Sequence, residues 1–475
     1  MVNPLSYPIL KQIMQGFGRN LTKDCNKCGD RFDSILDYVL ENEEGLCFNC
    51  RSQAKIFKFV MFRWLSLNKI DPQILYRFAR DKTIRRVLKN VFKGIALFGL
   101  RIPFVTGTPL SVVWNYTKKC NLKCSHCFSD SSYNQKSKNE LNTSEAKHVI
   151  DILAANDVVT VNFCGGEPLT RDDLLEVMSY TQQNDIYPSL STNGTLLTKY
   201  LCKEVYDVGV KSISISLDSL SPDKHDSLRN KPGAFNRAIE GINNVVEFGK
   251  FDEIIINTTL ADFNYEEIPQ IYEYVKNIGI TRYYVSRILP VGRGKYYMEH
   301  DVGKKKKRTV MRFMAEKFIE NIDNNFPLEV LGRGMPYYSK TCYDLSKGNY
   351  YPLCEILTGY EEKYENLFQS NTADFLHRLS RFFSGCATGL FYCGLDYDGF
   401  IIPCAPAGDI RLGNILKEGL FNIWTKHPVL NRIRDRKKVS GKCSRCTMNG
   451  LCGGCRLTAY GLTGDWLGSD LSCPY

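Results

Sequence analysis

From about residue 109 onward, short apolar runs alternate with longer segments of helical period. The runs are SVVW, VVTVNF, YPSLS, KSISISL, IIINTTL and RYYVSRI. Strands separated by helices in this way predict βα units around a parallel sheet, because each crossover helix covers a face of it. Six of them predict an α/β fold, a partial (β/α)6 TIM-type barrel over about residues 106–330. One intervening helix is expected to open at Thr143-Ser144 with Glu145 and to run through DILAAN. Lys304 to Lys307 read as a solvated loop or a helix start.

Upstream, residues 55–105 read as helical. Asp71-Pro72 has the form of an N-cap followed by N1. Ile84, Val87, Leu88, Val91, Phe92 and Ile95 share one helix face, and Arg85, Arg86, Lys89 and Lys93 fall on the other. A basic amphipathic helix of this kind either lies on anionic lipid or packs against the barrel.

The chain has 475 residues, 43% of them hydrophobic. A single core rarely grows beyond about 250–300 residues, so several units are expected. The formal charge of +11 permits contact with nucleic acid, anionic membrane or an acidic substrate and selects none of them. No apolar run approaches the roughly 18–20 residues of a membrane span. The opening MVNPLSYPIL lacks the pattern of an export signal, so a cytoplasmic location is expected.

Nineteen cysteines in a reducing compartment point to metal ligation rather than disulfides. Cys120, Cys124 and Cys127 follow directly on the first expected strand, at the end of a β/α barrel where active sites are built. Three thiolates hold three irons of a [4Fe–4S] cube and leave the fourth iron without a protein ligand. A structural zinc site is the inert alternative.

The spacing CxxxCxxC after strand one, with His126 before the third cysteine, resembles the signature of the radical S-adenosylmethionine (SAM) superfamily. The resemblance implies that SAM chelates the open iron held by Cys120, Cys124 and Cys127. One electron from a ferredoxin- or flavodoxin-type donor then releases a 5′-deoxyadenosyl radical that abstracts hydrogen. Gly165, Gly166, Glu167 and Pro168 resemble the family's GGEP motif, which receives the SAM ammonium. Asn193 in STNG, and Ser216 and Asp218 in SISLDS, resemble its polar positions near methionine and ribose. Ser216 and Asp218, two apart, are expected on one face of a strand. Arg229 resembles the arginine that pairs with the SAM carboxylate, and Arg287 to Gly294 would supply backbone contacts to adenine. Cys164 stands where the motif often has threonine, and reads as a small buried hydrophobe.

Residues 386–475 resemble the SPASM extension of that family. Eight thiolates are the number that saturates two further cubes. The resemblance implies Cys386, Cys393, Cys404 and Cys455 for one and Cys443, Cys446, Cys452 and Cys473 for the other. Spacing alone allows other groupings. The x2 spacing of Cys452 and Cys455, in CGGCRLTAYGLTGD, is closer to enzymes of alternative haem and haem d1 synthesis than to many peptide-modifying relatives.

Within residues 1–54, Cys25 and Cys28, then Cys47 and Cys50, form two knuckles able to close a tetrahedral site for zinc or a single iron. The whole implies a radical SAM enzyme with three [4Fe–4S] clusters that oxidatively modifies a tetrapyrrole side chain, a peptide or a lipid, its auxiliary clusters relaying electrons. Residues 331–385 would bridge to the substrate. The competing reading is a non-catalytic zinc-ribbon protein that binds nucleic acid. It leaves GGEP, STNG and SISLDS unexplained, so nucleic acid is not expected as a partner. Cys202, Cys342 and Cys354 take no part in either reading.

Overall fold

The computed structural model describes residues 8–42, 44–67, 71, 73–133, 139–347 and 385–475. The six expected strands form, each parallel to the next: β1 Ser111–Thr117, β2 Thr160–Gly165, β3 Tyr187–Thr192, β4 Ser212–Ser216, β5 Glu253–Leu260 and β6 Arg282–Arg287. The helix after β1 spans Thr143–Ala155 and opens on a capping box between Asn142 and Glu145.

The sheet is larger than the six runs predict. β7, Glu329–Arg333, adds a parallel strand beyond β6, and β8, Tyr392–Leu395, pairs in parallel with β1 at the other edge. β9 (Phe400–Ile402) and β10 (Gly413–Asn414) follow antiparallel, completing ten strands in one sheet. The carboxyl-terminal module is therefore joined to the barrel by backbone hydrogen bonds.

Alternation along the strands decides what the barrel holds. Ile213 and Ile215 of β4 and Val161 and Phe163 of β2 belong to the core beneath the helices. Their neighbours Ser212, Ser214, Asn162 and Cys164 line the lumen. The lumen is a cavity of about 490 Å³ whose polar walls bond to one another. Asn162 Nδ2 donates to Ser189 Oγ at 2.8 Å, and Ser191 Oγ donates to Asn162 Oδ1 at 2.9 Å.

Five helices precede the barrel: α1 Pro8–Leu21, α2 Arg31–Val39, α3 Phe48–Leu67, α4 Ile74–Arg80 and α5 Lys82–Phe98. Phe32, Phe57 and Phe92 meet at their core with ring centroids 5.6–6.2 Å apart. Asp71 Oδ1 accepts from Gln73 N at 2.9 Å ahead of α4, and Pro72 lies outside the described residues.

α5 settles the choice left open for the basic helix: it packs. Lys89 and Lys93 reach Asp157 at 3.2 and 2.6 Å, and Arg85 reaches Asp37 at 2.6 Å. Arg86 donates to the carbonyls of Asn184 and Asp185 at 2.9 and 2.8 Å. Gly94 lies so close to the following chain that a Cβ there would stand 2.2 Å from Val105 O. The cations that would meet lipid are thus spent on the barrel and on α2. The lysine run opens the helix Lys304–Asp323, one of the two forms expected of it, but its fourth member, Lys307, is not solvated: it is buried against Asp301 at 3.0 Å.

Candidate active site at the barrel mouth

The loop after β1 carries Cys120 and Cys124, both buried, and Cys127, half-buried, around Leu122 and Ala234. It is clamped on all sides. Arg293 Nε donates to Cys124 O at 2.8 Å and Nη2 to Ser131 O at 2.7 Å, while its own N–H donates to Cys127 O at 2.9 Å. Below, Gly166 N donates to Thr117 O at 2.7 Å and Glu167 N to Lys119 O at 2.9 Å. A Cβ on Gly166 would come within 2.1 Å of Lys119 O, and one on Gly292 within 2.3 Å of Phe128 O. Glycine is required at both because two chain segments pass in backbone contact with the cysteine loop.

Burial pushes the thiols of Cys120 and Cys124 above their ordinary range, the Arg229 guanidinium partly offsetting this at Cys124. A bound cation reverses that preference, because thiolates are what a metal or cluster takes. Three thiols on one short loop, all lining the cavity, suit an iron–sulfur cluster, and Leu122 N donates to Cys120 Sγ at 3.4 Å. His126 is half-buried beside them, and the desolvation of its ring lowers it to about 4.

Gly165, Gly166, Asn193, Ser216 and Arg229 stand on the cavity wall; Glu167, Pro168 and Asp218 are buried off it. The Glu167 carboxylate accepts from Thr192 Oγ1 and Asn193 N, both at 2.7 Å, and burial raises it to about 7. It ties the end of β2 to β3. Asn193 Nδ2 in turn donates to Asn121 Oδ1 at 2.8 Å, fixing the cysteine loop from β3.

Asp218 is placed differently from Ser216. β4 ends at Ser216, so the alternation of a strand no longer applies two residues later. The Asp218 carboxylate receives Arg229 Nε and Nη2 at 2.6 Å and Thr259 N at 2.9 Å. Burial alone would raise this acid, but Arg229 outweighs it and holds the carboxyl below its ordinary value. Arg229 Nη1 points on to Cys124 Sγ at 3.8 Å. Cys164 lies on the cavity wall and donates to Asn115 Oδ1 at 3.4 Å, its thiol pushed up to about 12 by burial.

Across the cavity, Cys386, Cys404 and Cys455 form part of the same wall. Burial raises the thiols of Cys393, Cys404, Cys452, Cys455 and Cys473, and in most of them neighbouring thiols add to it. Cys404 repels the ionised forms of Cys455 and Cys386, and Cys393 that of Cys404. Cys473 stands in the same relation to Cys443 and Cys446, and Cys452 to Cys473. Arg434, Arg436 and Arg456 are buried among them. Arg436 donates to the carbonyls of Cys386 and Leu451, each at 2.9 Å, and Arg456 to those of Trp466 and Gly468 at 3.0 and 2.9 Å. Sequence gave no sign of these arginines, because a lone arginine in a loop carries no pattern. Arg293 fell inside a segment read only for its backbone.

At the amino-terminal knuckles the sulfurs of Cys25, Cys28, Cys47 and Cys50 all lie within 4.8 Å of one another. Backbone N–H groups of Lys27 and Cys28 lower Cys25 to about 6, and burial pushes Cys50 up to about 12. The four converge as a tetrahedral metal site requires. All eighteen described cysteines are free thiols.

A barrel whose mouth is a three-cysteine loop pressed onto a glycine-tight strand end and open to the lumen has the form of an iron–sulfur enzyme. The Radical SAM superfamily model matches residues 114–275, and SPASM, an iron-sulfur cluster-binding domain, matches residues 386–447. The chain is 30% identical over 371 residues to the AdoMet-dependent heme synthase of Methanosarcina barkeri, covering 78% of this chain and 98% of that protein. It is 25% identical over 372 residues to the pre-heme d1 synthase of Dinoroseobacter shibae, covering 77% and 87%. Its fold resembles Streptococcus suis SuiB bound to S-adenosylmethionine, with a TM-score of 0.60 at 18% identity over 94% of this chain and 93% of that one. The chain belongs to the radical SAM superfamily and carries a SPASM domain. The reading as a non-catalytic nucleic-acid-binding ribbon protein is set aside.

Proposed function

We propose that this enzyme oxidises a side chain of a carboxylate-bearing iron tetrapyrrole. The observation that carries the reading is the single cavity that touches both the Cys120–Cys127 loop and Cys386, Cys404 and Cys455. A substrate held there meets the site of hydrogen abstraction on one side and an electron acceptor on the other. Relatives named as heme and pre-heme d1 synthases, and the Cys452-x2-Cys455 spacing, support the tetrapyrrole over a peptide or lipid. Arg333 on the same wall, 5.8 Å over the Tyr284 ring, offers a guanidinium to a carboxylate.

Cys120, Cys124 and Cys127 would hold the open cluster, which supplies the electron that cleaves SAM. Gly165 and Gly166 would offer backbone to the SAM ammonium, Asn193 and Ser216 would give SAM polar partners, and Arg229, positioned by Asp218, would take its carboxylate. Cys386, Cys393, Cys404 and Cys455, and Cys443, Cys446, Cys452 and Cys473, would each fill one auxiliary cube. A cube with four thiolates is anionic. The buried Arg434, Arg436 and Arg456 have no carboxylate within 4.0 Å among the described residues, so an anionic group of this kind is what their charge requires. The electron donor is of ferredoxin or flavodoxin type and the setting cytoplasmic.

The test is anaerobic turnover of the reconstituted full chain with iron coproporphyrin III. Formation of 5′-deoxyadenosine should rise several-fold over the substrate-free rate, with a new porphyrin mass. An unchanged rate and mass would move the assignment to a peptide or lipid.

The amino-terminal site holds structural zinc in this reading. Cys28→Ser should release one zinc per chain and loosen α1 to α3 in hydrogen exchange, with 5′-deoxyadenosine formation retained. A rubredoxin-like visible spectrum in the purified protein would show iron there instead.

A further inference from the structure

We propose that the outer face of α3 rests on an anionic lipid surface. α3 is twenty residues long, about 30 Å, and buries Cys50, Ala54, Phe57 and Leu65 against the amino-terminal core. Its opposite face is apolar where a soluble helix is normally polar. Phe48 is 87% exposed, Phe59 72%, Leu67 68% and Ile56 49%. Spacings of 8, 3 and 8 place these four on one stripe. Lys55 and Arg63 stand one turn either side of Phe59, both exposed, and the helix holds no acidic residue.

That mixture selects the occupant. Protein interfaces are depleted of lysine at their apolar centres, whereas here Lys55 stands exposed one turn from Phe59 among the largest apolar tips. A helix lying in a bilayer interface has this composition, because aromatic and aliphatic tips enter the acyl boundary while lysine and arginine stems reach up to the phosphates. No helix among the described residues is long and apolar enough to cross a membrane, so α3 would lie on the surface. The basic helix α5, for which lipid and packing were both open, packs on the barrel, and among the described residues α3 has the exposed apolar stripe.

The experiment is anaerobic co-sedimentation of the full-length, cluster-loaded protein with vesicles. Vesicles containing phosphatidylglycerol should retain it at least tenfold better than neutral phosphatidylcholine, with retention falling as salt rises. Phe59→Asp should reduce retention at least tenfold, and Lys55→Glu with Arg63→Glu should remove the preference for anionic vesicles. Phe59 is exposed, so unchanged circular dichroism is expected, and the charge-reversed pair carries the test independently should Phe59→Asp disturb folding. Failure to bind anionic vesicles, or equal binding by both variants, would overturn the proposal. Conversion of a dimer to a monomer by Phe59→Asp in sedimentation velocity would overturn it in favour of a second copy of this chain.

Discussion

Reconstituted anaerobically with iron and sulfide, Cys124→Ala is expected to form no 5′-deoxyadenosine above background from SAM and dithionite. The loss should be about a thousandfold or more, as when a group without substitute is removed from a catalytic centre. Cys124 is the middle cysteine of the loop, its carbonyl is held by Arg293 and its sulfur faces Arg229. Alanine removes one of three sulfurs and leaves no other thiol in the loop to replace it. Cys25→Ala, in a separate module with its own core, should keep the product at the wild-type level. Full activity in Cys124→Ala would show that the open cluster is held elsewhere. Gly166→Ala offers a milder disruption, since its Cβ must displace Lys119 O and with it the backbone under Cys120.

What the sequence revealed and what it hid follow from the reach of its patterns. Strands β1 to β6 were legible as short apolar runs that recur between segments of helical period. β7, EVLGR, is short and carries a glycine, and β8, YCGL, sits among ligand cysteines, so neither has a period to read. Cysteine spacing marked the loop after β1 directly. The residues that hold it there, Arg293, Asn121 and Glu167, act across distances of 26 to 169 positions, and no local window contains both partners. α5 was recognisable as an amphipathic basic helix. Only its placement against Asp157 and the carbonyls of Asn184 and Asp185 shows that this basic face is internal.

Asp218 separates two roles that sequence cannot. Were it a ribose ligand, Asp218→Asn would raise the SAM concentration needed for turnover and leave the SAM-free protein as stable as before. The geometry gives a different expectation, because both members of the Arg229–Asp218 pair are buried and Asp218 is fully enclosed. Asparagine still accepts from Thr259 N but no longer neutralises Arg229, which is left as a buried cation beside Cys124. Breaking such a pair on one side typically destabilises a fold by about 3–5 kcal/mol. Anaerobic denaturant unfolding without SAM should therefore show the variant clearly less stable. Arg229→Leu with Asp218→Asn, which removes both charges, should recover much of that stability while SAM affinity stays low, since the guanidinium on the cavity wall is gone. Wild-type stability of the single variant in the absence of SAM would overturn the positioning role and return Asp218 to the ribose.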